Sequence, residues 1–127
     1  MAKTILAVAL FGGIGVFALS LAPDRLVPEV SAAEAASAIA QEAKPVVVAF
    51  VTRGCVFCKG STRLLREVAS DVGDDARFMQ VDLAKYPEFA AQYDVVAVPT
   101  IVVFRDHTPH ARTSLIGSKR ELDMSLR

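Results

Sequence analysis

The stretch Val46-Val47-Val48-Ala49-Phe50-Val51-Thr52-Arg53-Gly54-Cys55-Val56-Phe57-Cys58 decides how the chain is read. Its first six residues are a continuous apolar run rich in β-branched side chains. That is the pattern of a strand buried on both faces, as in a central or parallel sheet. Thr52-Arg53-Gly54 breaks the run. From about Val56 to Val72 the periodicity becomes helical, with Leu64, Leu65, Val68 and Val72 on one side and Arg63, Arg66, Glu67 and Asp71 mostly elsewhere. Gly73 is a C-cap candidate. The only two cysteines of the chain therefore stand where a buried strand gives way to a helix, Cys55 at the helix start and Cys58 one turn in.

Working outward, residues 33–43 (AEAASAIAQEA) are rich in helix formers and predict a helix, which Lys44-Pro45 ends because the residue before proline avoids the α region. Residues 77–82 (RFMQVD) predict a second strand. Residues 86–93 predict a short helix with Pro87 at a tolerated early position. Val95 to Val98 leads to Pro99, and residues 100–104 (TIVVF) predict a third strand. Residues 105–111 (RDHTPHA) read as a polar turn, residues 112–116 as a fourth strand, Gly117 as its end, and residues 118–127 as a short charged helix. The order is helix, strand, helix, strand, helix, strand, strand, helix. It begins as a βαβ unit and ends as a hairpin, which predicts an α/β fold with a central mixed sheet flanked by helices.

The whole chain has 127 residues, with 14 basic and 14 acidic side chains. Zero formal charge argues against a nucleic-acid binder, and the length excludes a multidomain enzyme. The apolar fraction of 53% and mean hydropathy of +0.40 are high for a soluble domain. The excess is local, because residues 1–23 hold a single charged residue, Lys3. An uncharged run over residues 4–23 satisfies the length of a membrane anchor and the pattern of a secretory signal peptide; a buried helix of a soluble domain is the third reading. The candidate cleavage site, Val30-Ser31-Ala32 before Ala33, lies unusually far from the apolar run, and Pro23 disfavours cleavage after Ala22. Anchor and signal readings both place the remainder in the periplasm or on another extracytoplasmic face. The division expected is residues 1–23 as signal or anchor, 24–34 as linker, and 35–127 as the domain.

The Cys-Val-Phe-Cys motif carries the chemistry. A helix N-terminus exposes N–H groups and the positive end of the helix dipole, which favours a thiolate there. One helical turn brings the two sulfurs within bridging distance. In this reading Cys55 is the exposed nucleophile and Cys58 the shielded resolving thiol, acting through a mixed disulfide with a partner. Three alternatives stay open: a structural disulfide, whose tight loop ties down little chain entropy; a metal site of Cys55, Cys58, His107 and His110, whose spacing matches no common zinc finger; and two inert buried cysteines.

With these residues in view the chain resembles the thioredoxin family over about residues 35–127. The likeness rests on VVVAFV, on Cys55-Val56-Phe57-Cys58 followed by Lys59, on VDLAKYPEFAAQYDVVAVPTIVVF, and on Gly117 before the last helix. A finer likeness, in Cys55-Val56-Phe57-Cys58-Lys59 and His110-Ala111-Arg112, is to the C-terminal periplasmic domain of disulfide interchange reductases of the DsbD type. The resemblance implies a thiol–disulfide oxidoreductase, acting as protein-disulfide reductase or oxidase, with a cis bond between Val98 and Pro99 and with Pro99 facing Cys55 to dock the partner's backbone. It implies protein thiols and disulfides as partners, a redox-recycling partner for which a membrane-bound protein is one candidate, a monomer, and no cofactor or metal. Departures from the family pattern are Ala49 at the position of a buried Asp, Gly54 in place of Trp, Val56-Phe57 in place of Gly-Pro, and Arg63 in place of a helix-kinking proline. The missing acid motivates the alternative of a non-catalytic thioredoxin-like adaptor or chaperone.

Overall fold

The structure, a computed structural model, describes residues 25–113 and 119–127. Helix α1 (Ala32–Gln41) precedes β1 (Val46–Val51), α2 (Val56–Val72), a 3-10 turn (Gly73–Asp75) and β2 (Arg77–Asp82). Then follow α3 (Pro87–Gln92), β3 (Thr100–Arg105), β4 (Thr108–Thr113) and α4 (Lys119–Leu126). The four strands form one sheet in the order β2-β1-β3-β4. β1 pairs parallel with β2 and antiparallel with β3, and β3 pairs antiparallel with β4. This is the mixed, helix-flanked sheet of a thioredoxin-like fold.

All six residues of β1 are buried, which accounts for its unbroken apolar sequence. Side chains alternate across a strand. Val47, Ala49 and Val51 therefore face the layer holding Cys58, Leu65 and Val68 of α2 and Leu122 of α4. Val46, Val48 and Phe50 face Ala35, Ala38 and Ile39 of α1 and Phe89 and Ala90 of α3. That second layer is reinforced by aromatic pairs, Phe50–Phe89, Phe89–Tyr93 and Tyr93–Phe104, with ring centroids 4.9–5.9 Å apart. The buried stripe of α2 is Cys58, Ser61, Leu65, Val68 and Ala69. Leu64, expected on that side, is half-buried because the helix faces the sheet through positions slightly rotated from the expected ones.

Two stretches differ from expectation. The polar turn expected at residues 105–111 is only two residues long. Asp106 and His107 take positive φ of 53° and 68° and close a tight hairpin. β4 accordingly starts at Thr108, four residues before the strand expected at 112–116, while residues 114–118, with Gly117, lie outside the described residues. β4 carries Pro109 because it is an edge strand, where a missing N–H costs no ladder bond. The register shift between Val103 and Phe104 falls opposite that proline.

Within the stretch read as a linker, the chain is docked from Val27 onward. Val27 is fully buried among the side chains of the α2 layer. Residues 28–30 extend the sheet past β2: Gln80 N donates to the Pro28 carbonyl and Val30 N to the Gln80 carbonyl, both at 2.9 Å. The Gln80 side-chain amide donates to the Val27 carbonyl at 2.8 Å. Ser31 then caps α1, its hydroxyl accepting from Glu34 N at 3.2 Å. Truncating Val27 to Ala removes two buried methyl groups and leaves a cavity, so Val27→Ala is expected to lower unfolding stability by about 2 kcal/mol in urea titrations. A loss of only a few tenths would show that this strap does not belong to the core.

Candidate active site

β1 ends at Val51, and the chain turns through Thr52–Gly54 into α2, with Cys55 N donating to the Thr52 carbonyl at 3.4 Å. Gly54 makes the turn at φ +82°, a left-handed conformation that a side chain rarely adopts, so a Trp at this position would be strained. Cys55 is the N-cap of α2, in extended backbone at φ −75° and ψ 111°. Its Sγ accepts from Cys58 N at 3.2 Å, the place a Ser or Asp oxygen takes at other helix starts. The two cysteines are joined as a disulfide, with Cα atoms 5.3 Å apart.

Their environments differ. Cys55 is half-buried, whereas Cys58 is 5% exposed and packed with Ala49, Leu65 and Ile101. From Arg53 to Arg66 the sequence holds Arg53, Lys59, Arg63 and Arg66 and no carboxylate. The positive end of this 17-residue helix favours a thiolate at Cys55.

Facing this turn is the loop from Val95 to Pro99. The Val98–Pro99 bond is cis, as the resemblance implies. Pro99 is buried, and Val98 packs on the same layer of core as Cys55. Thr100 Oγ1 donates to the Ala97 carbonyl at 2.6 Å across the cis bond and holds the loop in shape. Val56 and Phe57 between the cysteines are 79% and 74% exposed, and Val96 on the loop is 91% exposed. Val96 went unnoticed in the sequence because a single valine among valines carries no local signal.

Arg112 was also missed as a positioning residue. Its guanidinium donates to the Asp94 carbonyl at 3.0 Å and to the Tyr93 carbonyl, pinning the end of α3 to β4 directly upstream of the Val95–Pro99 loop. No sequence signal reveals a bond that spans 18 or 19 residues.

Ala49 is buried on the face of the sheet that Cys58 occupies, and the core residues around them are apolar. The nearest carboxylate by register is Asp82, opposite Val51 in the β1–β2 pairing. Its Oδ1 is already taken by the N–H groups of Ala84 at 2.9 Å and Lys85 at 3.3 Å. The four-ligand metal site does not assemble. His107 Nδ1 lies 2.8 Å from the Ile39 carbonyl at the end of α1, and among the described residues no three His, Cys, Asp or Glu side chains cluster as metal ligands.

The family model for thioredoxin matches residues 27–126. A thioredoxin of Mycobacterium tuberculosis is 32% identical over 91 residues, covering 72% of this chain and 77% of that one. A thioredoxin-like protein of Synechocystis is 30% identical over 91 residues, covering 72% of this chain and 87% of its own. A thioredoxin of Mycolicibacterium smegmatis is 35% identical over 78 residues, or 60% of this chain and 68% of that one.

Because Ala49 is 1% exposed, a carboxylate placed there is desolvated. Burial raises the folded carboxyl pKa above its unfolded value of about 3.9, so stability is intact below that value and is lost as pH rises through the folded pKa. Ala49→Asp is therefore expected to unfold more easily at pH 8 than at pH 4 by about 3 kcal/mol beyond the parent's own pH dependence, measured by urea titration. Equal pH dependence in the two proteins would show that water reaches the site.

Proposed function

Because the chain belongs to the thioredoxin family, we propose that it is a thiol–disulfide oxidoreductase acting on disulfides of exported proteins through Cys55 and Cys58. The observation that carries the reading is the asymmetry of the pair, a half-buried sulfur at the N-cap of α2 bonded to a buried one a turn later. In the reduced form the Cys55 thiolate attacks one sulfur of a partner disulfide and expels the other as a thiolate. The Cys58 thiol then gives up its proton, attacks Cys55 Sγ, and expels the second partner sulfur. Two electrons and the one proton of Cys58 leave the pair, the second partner thiolate takes its proton from water, and the Cys55–Cys58 bond forms. With Ala49 in place of an acid, the Cys58 proton passes to water or to the thiolate released in the first step. The reverse sequence oxidises a partner dithiol.

Val98 and Pro99 support a docking role for the loop beside Cys55, where an extended partner segment lies against the cis-proline turn. Val56, Phe57 and Val96 supply an apolar rim for the residues flanking the partner's disulfide. Export rests on residues 1–23, whose single charge and long apolar run suit an anchor or a signal. Among the described residues no helix is long and apolar enough to cross a membrane, and residues 1–24 are not among them.

Insulin reduction by the full chain tests the activity. Cys55→Ser is expected to fall to the uncatalysed rate, and Cys58→Ser to accumulate mixed disulfides with partners. A Cys58→Ser variant that traps none, in a chain that still binds partners, favours the adaptor reading suggested by Ala49. Burying a Phe side chain is worth about 1.5–3 kcal/mol, so Phe57→Ser is expected to lower kcat/KM about tenfold on disulfide peptides with apolar flanks. The same variant should leave turnover of glutathione disulfide nearly unchanged.

A further inference from the structure

We propose that residues 4–23 are kept as a membrane anchor and that the fold holds the redox pair at the pole facing away from the bilayer, so that its partners are disulfides standing well clear of the membrane surface. This rests on the reading of residues 1–23 as a membrane-directed segment, and it chooses between the two forms of that reading.

Retention follows from where the candidate cleavage site falls. A cut between Ala32 and Ala33 would remove Val27 from the core, the Pro28 and Val30 bonds to Gln80, and the Ser31 cap of α1. These groups belong to the folded domain, which the family model also begins at residue 27. The earlier alternative, after Ala22, is followed by Pro23.

Orientation follows from the direction of the strap. Glu29 bridges Gln80 in parallel, so residues 27–30 run the same way as β2. Residues 25 and 26 therefore lie at the pole where β1 and β2 begin, and there they share a hollow with Lys44, Gly73, Asp74 and Arg77. Cys55 lies at the other pole, beyond the end of β1. The two poles are joined by α2, which runs from its N-cap Cys55 to its C-cap Gly73. At 1.5 Å per residue, its 17 residues hold the poles about 25 Å apart. Only residues 24–26 separate Pro23 from the buried Val27, and the four steps between them span at most about 14 Å when extended. So short a tether keeps the starting pole against the headgroups and leaves little freedom to turn the opposite pole toward them. The partners that fit are soluble proteins or projecting domains of membrane proteins, not thiols at headgroup level.

The test uses the full chain in phosphatidylcholine–phosphatidylglycerol vesicles containing a nickel-chelating lipid. Nitroxide labels are placed on Cys55 in Cys58→Ser, and on Asp74→Cys, with Lys44→Cys as a second site at that pole, in the Cys55→Ser, Cys58→Ser background. The expected result is nickel-induced relaxation several-fold stronger at residues 74 and 44 than at residue 55. Equal or stronger relaxation at residue 55, in chains that stay with the vesicles after alkaline carbonate washing, overturns the orientation and leaves the anchor standing. Release of the chain by carbonate, or recovery from cells of a chain starting after residue 32, overturns the anchor itself. The functional counterpart is a disulfide peptide coupled to a lipid headgroup. Exchange with the vesicle-bound full chain is expected to be at least tenfold faster through a spacer of about 40 Å than through one of about 5 Å. Equal rates count against the proposal.

Discussion

The burial of β1 on both faces is the constraint on which the rest depends. A strand that hides all six side chains must have a helical layer on each side and a paired strand on each edge. That requirement places α2 and α4 on one face and α1 and α3 on the other. It also fixes where the chain leaves the sheet. The positive φ of Gly54 turns it from the end of β1 into the start of α2, and Cys55 becomes the N-cap. The redox chemistry is thus a consequence of the sheet's geometry: the sulfur at the cap meets solvent and the exposed end of the helix, and the sulfur one turn in meets the core.

The second side of the site is built by a different route. The loop ending in cis Val98–Pro99 is held from behind, by Arg112 of β4 on the carbonyls of Tyr93 and Asp94 and by Thr100 on Ala97. Polar side chains set the loop's shape while Val96 is left on the surface. Thr100 and Arg112 thus brace the loop on which the exposed Val96 stands.

How much of this is legible in the sequence depends on how local the cause is. The apolar run of β1, the 3.6-residue period of α2 and the six residues of β2 are each decided by burial along one element, and their placement agrees with the sequence reading. The Cys55–Cys58 pair was legible for the same reason, since spacing and strand-to-helix context lie within one stretch. The hairpin itself was legible, but its two-residue turn and the start of β4 at Thr108 were not. Its two turn residues, Asp106 and His107, adopt positive φ without the Asn-Gly signature, and His107 is held by a carbonyl of α1 that is distant in sequence. The strap at residues 27–30 was hidden by Pro28 and by its brevity, although Ser31-Ala32-Ala33-Glu34 does carry the Ser-x-x-Glu pattern of a helix start. The clamp of Arg112 has no sequence signature, because it exists only once β4 and α3 are brought together.

The fold places the two cysteines in unequal surroundings, Cys55 half-buried at the cap of α2 and Cys58 buried in the core. Brief alkylation of the reduced full chain with iodoacetamide, followed by peptide mapping, measures this directly. If Cys55 is the attacking sulfur proposed above, it is carboxyamidomethylated at least tenfold faster than Cys58 in the native state, and the difference disappears in denaturant. Equal rates in the native state, or faster modification of Cys58, would contradict it.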